Sequence, residues 1–295
     1  MMRRDQQGIA LITVLLVMSL ALLITAGMLR SQRLSLHSNA QQLHQLQLRQ
    51  LGFAGEAWAR QRLREHLPDP KGVVAAGQSW AKEQPDMPID NGRIEVEIED
   101  LAGRFNVAAL LTKGPVDKVV AQRWLQLQTG LKVPLLDASA LQGLSLSDIS
   151  QLRQVEGVDA LWFSRMQPWI ALLDKGTALN INTASAGLLA TLEGVTPDMA
   201  RRLVAQRPQQ GYADIEDFTF TPMLRGLGVH ASGLGTQSRW FRITTHVRLG
   251  QSRLRLESDV ARHLKTGEWH LLQRRFLAPT HTVNPSDEQL ALSHR

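Results

Sequence analysis

The sequence predicts an α+β fold: a long N-terminal helix packed on an antiparallel sheet, with a large inserted all-α subdomain containing helix-hairpin-helix-like repeats. Three observations predict it. An uncharged apolar run near the start passes into an amphipathic one without a proline. Strict two-residue alternation of apolar and polar residues occurs near residue 95 and again after residue 240. Between those strands lie about 140 residues whose spacing and glycine-centred repeats read as helices.

Residues 9–29 contain no Asp, Glu, Lys or Arg. These about 21 residues make about 31 Å of helix, enough to cross the hydrocarbon core of a bilayer. Ahead of them lies a short polar leader, residues 1–8, which carries Arg3 and Arg4 and ends in Gly8. A removed secretory signal has a shorter apolar core, usually about 7–15 residues, and Ala26 with Gly27 is a poor cleavage site. A plain signal anchor fits the hydropathy equally well. Arg3 and Arg4 favour a cytoplasmic N-terminus, yet Arg30 and Arg33 follow the far end, so the positive-inside count is nearly balanced.

Residues 30–67 continue the helical signal up to Pro68. Leu36, Leu43, Leu46, Ala54, Ala57 and Trp58 recur at spacings that sum threes and fours, and Gln41, Gln42, Gln45, Gln47 and Gln50 fill the opposite side. One helix from Ile9 to His66 would be roughly 87 Å long. A membrane helix followed by a separate bundle helix is the alternative, kept open by Gly52 and Gly55.

Pro68 and Pro70 open a loop that reaches Asn91 and Gly92. Ile94, Val96 and Ile98 then alternate with Glu95, Glu97 and Glu99, a half-buried antiparallel strand. Residues 100–106, Asp-Leu-Ala-Gly-Arg-Phe-Asn, are a turn-rich connection. Gly114 and Pro115 can start a helix with Val119, Val120, Trp124 and Leu127 on its buried side and Gly130 at its end. Val-Glu-Gly-Val at 155–158 is answered by Leu-Glu-Gly-Val at 192–195, and helical patterns flank both. Each unit reads as helix, glycine-centred hairpin, helix, and two such units can pack face to face. Phe241, Ile243, Thr245, Val247 and Leu249 alternate next. Gly250 with Gln251 turns the chain, Leu254, Leu256, Ser258 and Val260 continue the period, and a last strand runs over 269–277.

The expected organisation is therefore a leader at 1–8, a membrane segment at 9–29 and its amphipathic continuation at 30–67. A first part of the sheet domain follows at 68–110, then an inserted helical subdomain at 111–228, closing strands at 229–277 and a flexible tail at 278–295.

A net charge of +6 over 295 residues permits contact with anionic partners, but the basic residues are scattered. The absence of cysteine removes disulfides, thiolate catalysis and Cys-ligated zinc. The nine histidines form no HExxH pair, and no GxSxG occurs. No catalytic residue and no metal ligand is assigned, and the chain is not expected to be an enzyme. Asp214, Glu216 and Asp217 lie close together but do not match an EF-hand, and a helix N-terminus explains them.

The leader ending at Gly8, the 100–106 segment, Leu-Asn-Ile-Asn-Thr-Ala at 179–184, the 207–218 stretch and the strand bearing Arg274 and Arg275 together resemble the GspK family. These are the large minor pseudopilins of bacterial type II secretion, built on a pilin-like fold. The resemblance covers the chain to about residue 277. It implies cleavage by prepilin peptidase between Gly8 and Ile9, and N-methylation of Ile9. Ile9 stands where most pilins have phenylalanine. Thr13, fifth after the cleavage point, stands where most pilins carry a glutamate, and the K members do not. A carboxylate in the bilayer is costly unless paired, whereas a threonine bonds its own helix, so Thr13 suits a subunit at a filament end.

The resemblance further implies a structural subunit capping the tip of the secretion pseudopilus, initiating assembly with minor pseudopilins I and J and supporting export across the outer membrane. Other pseudopilins, prepilin peptidase and the inner-membrane assembly platform are the remaining expected partners. The chain would sit once through the inner membrane, its N-terminus cytoplasmic before cleavage and its head periplasmic. Leu11, Leu15, Leu16, Leu22 and Leu23 would make the helix-bundle contacts. No cofactor is expected, although calcium occurs in some relatives. The alternative is a membrane-anchored helix-hairpin-helix protein for DNA binding or uptake. Against it, Glu156 and Glu193 stand beside the hairpin glycines, and Asp159 and Thr196 replace a second glycine, so nucleic acid is not an expected partner.

Overall fold

The computed structural model describes residues 5–69, 71–82 and 87–278, with side chains from Ile12 onward apart from His37. Residues 1–4 of the leader and residues 279–295 of the expected tail lie outside the described residues. The chain divides into two units, Met1–Leu51 and Gly52–Arg295.

The first unit is helical. It belongs to α1 (Asp5–His66), which passes through Gly52 and Gly55 without a break, so one continuous helix replaces the two-helix alternative. Leu15, Leu16, Leu22 and Leu23 are between 58% and 71% exposed. The helix is long and apolar enough to cross a membrane. A helix that is apolar on every side finds no water-stable resting place and calls for lipid or other apolar helices around it.

The second unit is built on a five-stranded antiparallel sheet against which the rest of α1 lies. Its strands are β1 (Met87–Ile89), β2 (Gly92–Asp100), β7 (Trp240–Leu249), β8 (Ser252–Arg262) and β9 (Trp269–Leu277), in that spatial order. The helix glycines, weak points by propensity, are points of close approach. A Cβ on Gly55 would lie 2.5 Å from Thr245 Cγ2 and 3.1 Å from Ile94 Cγ2. Lost helix propensity of about 1 kcal/mol is exchanged for a helix axis seated close to the sheet. Ile94 and Val96 are buried on this face, with Phe241, Ile243, Val247, Leu256 and Val260. Within the stretch that the sequence assigns to a loop, β1 is a three-residue edge strand paired through the turn at Asn91, too short to show a period.

β2 and β7 are immediate neighbours, with Asp100 opposite Phe241, so residues 101–239 are an excursion between adjacent strands. The excursion is wider than the 111–228 block read from sequence, because its flanks pair with it. β3 (Phe105–Asn106) pairs in parallel with β4 (Ile170–Ala171), and β5 (Leu179–Asn180) with β6 (Leu234–Gly235). These pairs also correct the all-α expectation: the block is mainly helical with two short parallel ladders. Its helices are α2 (Lys118–Gly130), α3 (Ala160–Met166), α4 (Ala186–Leu189), α5 (Pro197–Ala205) and α6 (Ile215–Thr219), and the 149–154 stretch is 3-10. α2 starts later than Gly114 and Pro115 suggest, because the Asp117 carboxylate accepts the amides of Val119 and Val120.

The block has its own core. Phe105, Trp124, Leu127, Trp162, Phe163, Met166, Leu189, Leu203 and Phe218 are buried in one cluster. Both indoles are satisfied: Trp124 donates to the Leu136 carbonyl at 2.8 Å and Trp162 to Pro134 at 3.0 Å.

Candidate functional site

Three places invite a functional reading: the apolar helix, the joint between sheet and inserted block, and the repeated hairpins. On α1, the Gly8–Ile9 bond falls within the helix, and no side chain at Gly8, Ile9 or Leu11 lies within the described residues. At about 100° per residue, positions 11, 15 and 22 share one stripe and positions 16 and 23 a second, roughly 100° further round. Thr13 is exposed and belongs to neither stripe. The hydroxyls of Ser19 and Thr25 donate to the carbonyls of Leu16 and Ala21, each at 2.8 Å. The apolar run thus satisfies these polar groups internally, as a lipid-facing helix must.

The joint brings together two of the segments on which the family resemblance rests, 100–106 and 179–184. Asp100 ends β2 with its carboxylate buried. One oxygen accepts the Ala102 amide at 2.9 Å and the Ser238 hydroxyl. The other accepts Asn180 Nδ2 at 2.8 Å and Thr183 Oγ1 at 2.6 Å. Asn180 Nδ2 also donates to the Val74 carbonyl at 2.9 Å, and Asn182 exchanges two bonds with the Tyr212 backbone, at 3.0 and 2.7 Å. Asn106 donates to Asp174 O at 2.9 Å while its oxygen accepts the amides of Ala108 and Leu173, both at 3.1 Å. Short side-chain amides and carboxylates here replace backbone partners where strands stop. Burial pushes the Asp100 carboxyl up to about 6, with the Ser238, Thr183, Asn180 and Ala102 bonds pulling the other way. All four donors converge on one carboxylate; the arrangement is a structural joint.

A second polar lock fixes α1 to the sheet edge. Glu56 is 2% exposed; its carboxylate accepts Arg274 in a fork at 2.6 and 2.7 Å and the Ser258 hydroxyl at 2.7 Å. Arg274 also lies over the Phe53 ring, 4.9 Å from its centroid. The buried side of this part of α1 is Gly52, Gly55, Glu56, Ala59 and Leu63, whereas Leu36, Leu43, Leu46, Ala54 and Ala57 of the face expected from apolar spacing are exposed, because the close seat on the sheet selects small residues that spacing alone does not mark. Sequence reading therefore passed over Glu56, and over Ser238, which no pattern marks.

The two hairpins form as expected, with Gly157 at φ 87° and Gly194 at φ 72°, where glycine carries little penalty. Asp159 and Thr196, which stand in place of a second glycine, are N-caps, accepting the amides of Trp162 and Met199. Glu193 is held by Arg123 through two bonds of 3.2 Å and accepts the His230 amide at 3.2 Å. Burial raises its carboxyl, but the Arg123 bonds and charge together with the backbone amides of Glu193 and His230 outweigh that and leave it below the ordinary range. Leu227 packs against Gly194, with a Cβ there only 3.2 Å from its own. The second hairpin is therefore pinned to the block by Arg123 and by its contact with Leu227. Asp214 caps α6 by accepting the Asp217 amide at 2.8 Å. Among the described residues no three His, Asp or Glu side chains are grouped to hold a metal.

A long apolar-to-amphipathic helix, an antiparallel sheet that holds its last turns and a folded block between neighbouring strands define a pilin-like α+β protein. The block's 179–237 segment matches the protein-family model described as "Type II secretion system (T2SS), protein K". The chain is 31% identical to type II secretion system protein K of Pseudomonas aeruginosa, over 92% of this chain and 93% of that one. It is 27% identical to the protein K of Pectobacterium carotovorum, over 96% and 100% of the two chains. Among solved structures, one from the GspK-GspI-GspJ complex of the enterotoxigenic Escherichia coli Type 2 Secretion System shares the fold. Its TM-score is 0.67 at 22% identity, and the match covers 82% of this chain and all 100% of that one. The chain belongs to the type II secretion system protein K family, the GspK minor pseudopilins.

Proposed function

We propose that this chain caps the tip of a type II secretion pseudopilus and starts its assembly together with the I and J minor pseudopilins. The observation that carries this reading is the folded block at 101–239, inserted between two adjacent strands of an otherwise small helix-and-sheet scaffold. Helical filaments bring neighbouring subunits close on every side, so added head volume is best accommodated where no subunit lies above. Thr13 agrees with that position: it offers no carboxylate to pair with a neighbour's amine inside the bilayer. The naming of a GspK-GspI-GspJ complex for the fold relative supports the choice of partners.

In this reading prepilin peptidase cuts between Gly8 and Ile9, and the new terminus at Ile9 is methylated. The helix first anchors in the inner membrane with the head in the periplasm. It then packs against pseudopilin helices through Leu11, Leu15, Leu16, Leu22 and Leu23, aided by the assembly platform. The role is structural and needs no cofactor or calcium. The test is complementation of secretion in cells lacking the chain. The wild type restores export, while Gly8→Ala accumulates as full-length precursor and does not; normal processing of that variant would overturn the reading.

A further inference from the structure

The outer face of the sheet, opposite α1, is organised in cross-strand rows. Glu99, Arg242 and Asp259 form one row; Glu97, Thr244, Glu257 and Arg275 the next; Glu95, His246 and Arg255 a third; Arg93, Arg248 and Arg253 the last. The first row alternates in sign and is closely paired: Arg242 donates to Asp259 at 2.7 and 3.0 Å. Arg275 reaches Asp259 at 3.0 Å and Asp148 of the inserted block at 3.3 Å, so that end of the face is covered and neutralised. In the third row Arg255 pairs with Glu257.

The last row breaks the rule. Arg248 and Arg253 are direct cross-strand neighbours, both exposed, and neither forms an ion pair among the described residues. Arg93 beside them is spent on Glu95 at 2.6 Å. Like charges directly opposite each other destabilise a sheet. Two rows away Glu97 is exposed with no ion pair among the described residues either. The unsatisfied charges of this face are thus two guanidinium groups together and one carboxylate set apart.

We propose that this exposed end of the sheet is a docking strip for a neighbouring protein subunit that places carboxylates against Arg248 and Arg253 and a basic side chain against Glu97. A polyanion fits poorly: nucleic-acid binding draws on many phosphate contacts, and Glu95 and Glu97 would repel it. A protein surface of mixed sign satisfies both ends and fixes the register of the contact. The inference rests on the assembly proposed above.

Its test is capture of the full-length chain from detergent extracts of cells coexpressing the I and J pseudopilins of the same system. The retained partners are then measured against salt. Arg248→Glu and Arg253→Glu are each expected to cut retention about tenfold. Each should melt no lower than the wild type, because each turns a like-charge neighbour pair into an opposite one. Arg248→Lys with Arg253→Lys should keep most of the binding, and wild-type retention should fall as salt rises. Undiminished retention by both reversals overturns the strip while leaving the assembly reading in place. Failure of the wild type to retain either partner overturns both. Wild-type binding to duplex DNA or anionic vesicles that the reversals abolish would assign the row to another ligand and overturn the proposal.

Discussion

Asp100 gathers four hydrogen bonds: from Ala102 just past its own strand, from Asn180 and Thr183 in the middle of the inserted block and from Ser238 at its far end. Asp100→Asn keeps the shape but turns one acceptor into a donor facing other donors. Loss of about 2–4 kcal/mol is expected in urea unfolding of the detergent-purified chain, the range for a buried network left partly unsatisfied. The group also carries a pH signature. Burial holds it at about 6 in the folded chain against an ordinary 3.8. The folded state therefore binds the extra proton between those values, and stability falls as pH rises through them, levelling off above about 6. Up to about 3 kcal/mol is at stake by the linkage relation, and the Asn variant should lack this slope. Glu56→Ala strands Arg274 and Ser258; because Arg274 is partly solvated, a cost of about 2–3 kcal/mol is expected, and Glu56→Gln should recover part of it. The residues of the joint were visible in the sequence as segments, 100–106 and 179–184. That they meet was not, because Asn180 and Asp100 are 80 positions apart and nothing in a single chain reports such pairing.

At the scale of elements, periodicity was a sound guide where one face is buried and a poor one where packing overrides propensity. β2, β7 and β8 form where their alternation places them, although Arg242, Thr244 and Glu257 on the outer face are also buried, and the two hairpins turn at Gly157 and Gly194. Gly52 and Gly55 look like helix breakers but are contact points, since a helix resting on Thr245 and Ile94 has no room for a Cβ. Gly55→Ala should therefore destabilise the chain by about 1–3 kcal/mol despite its better helix propensity, measured by thermal melting. Gly114→Ala, in open space outside any helix or strand, should change the melt little. Buried polar residues such as Arg123 and Gln128 on α2 could not be read from apolar spacing. They face inward because Glu193 and the Leu136 backbone supply their partners.

For the whole molecule, the excursion between β2 and β7 was legible from the return of strand periodicity after a long helical stretch. Its true limits were not, because the flanks join the block through two-residue ladders that leave no pattern. The membrane reading of the first unit rests on length and composition alone, and both are plain in the sequence. What the fold adds is the reason a pilin-like scaffold carries so large a head: the block has its own core and is locked to the sheet at Asp100. The proposed terminal place in the filament rests on head volume of that kind. The absence of cysteine makes the placement directly measurable, since a single Ser164→Cys on the exposed side of α3 is a unique point for a gold label. On pseudopili grown with this variant as the sole copy of the chain, gold should be found at one end of each filament. Gold distributed along the shaft would contradict the tip assignment.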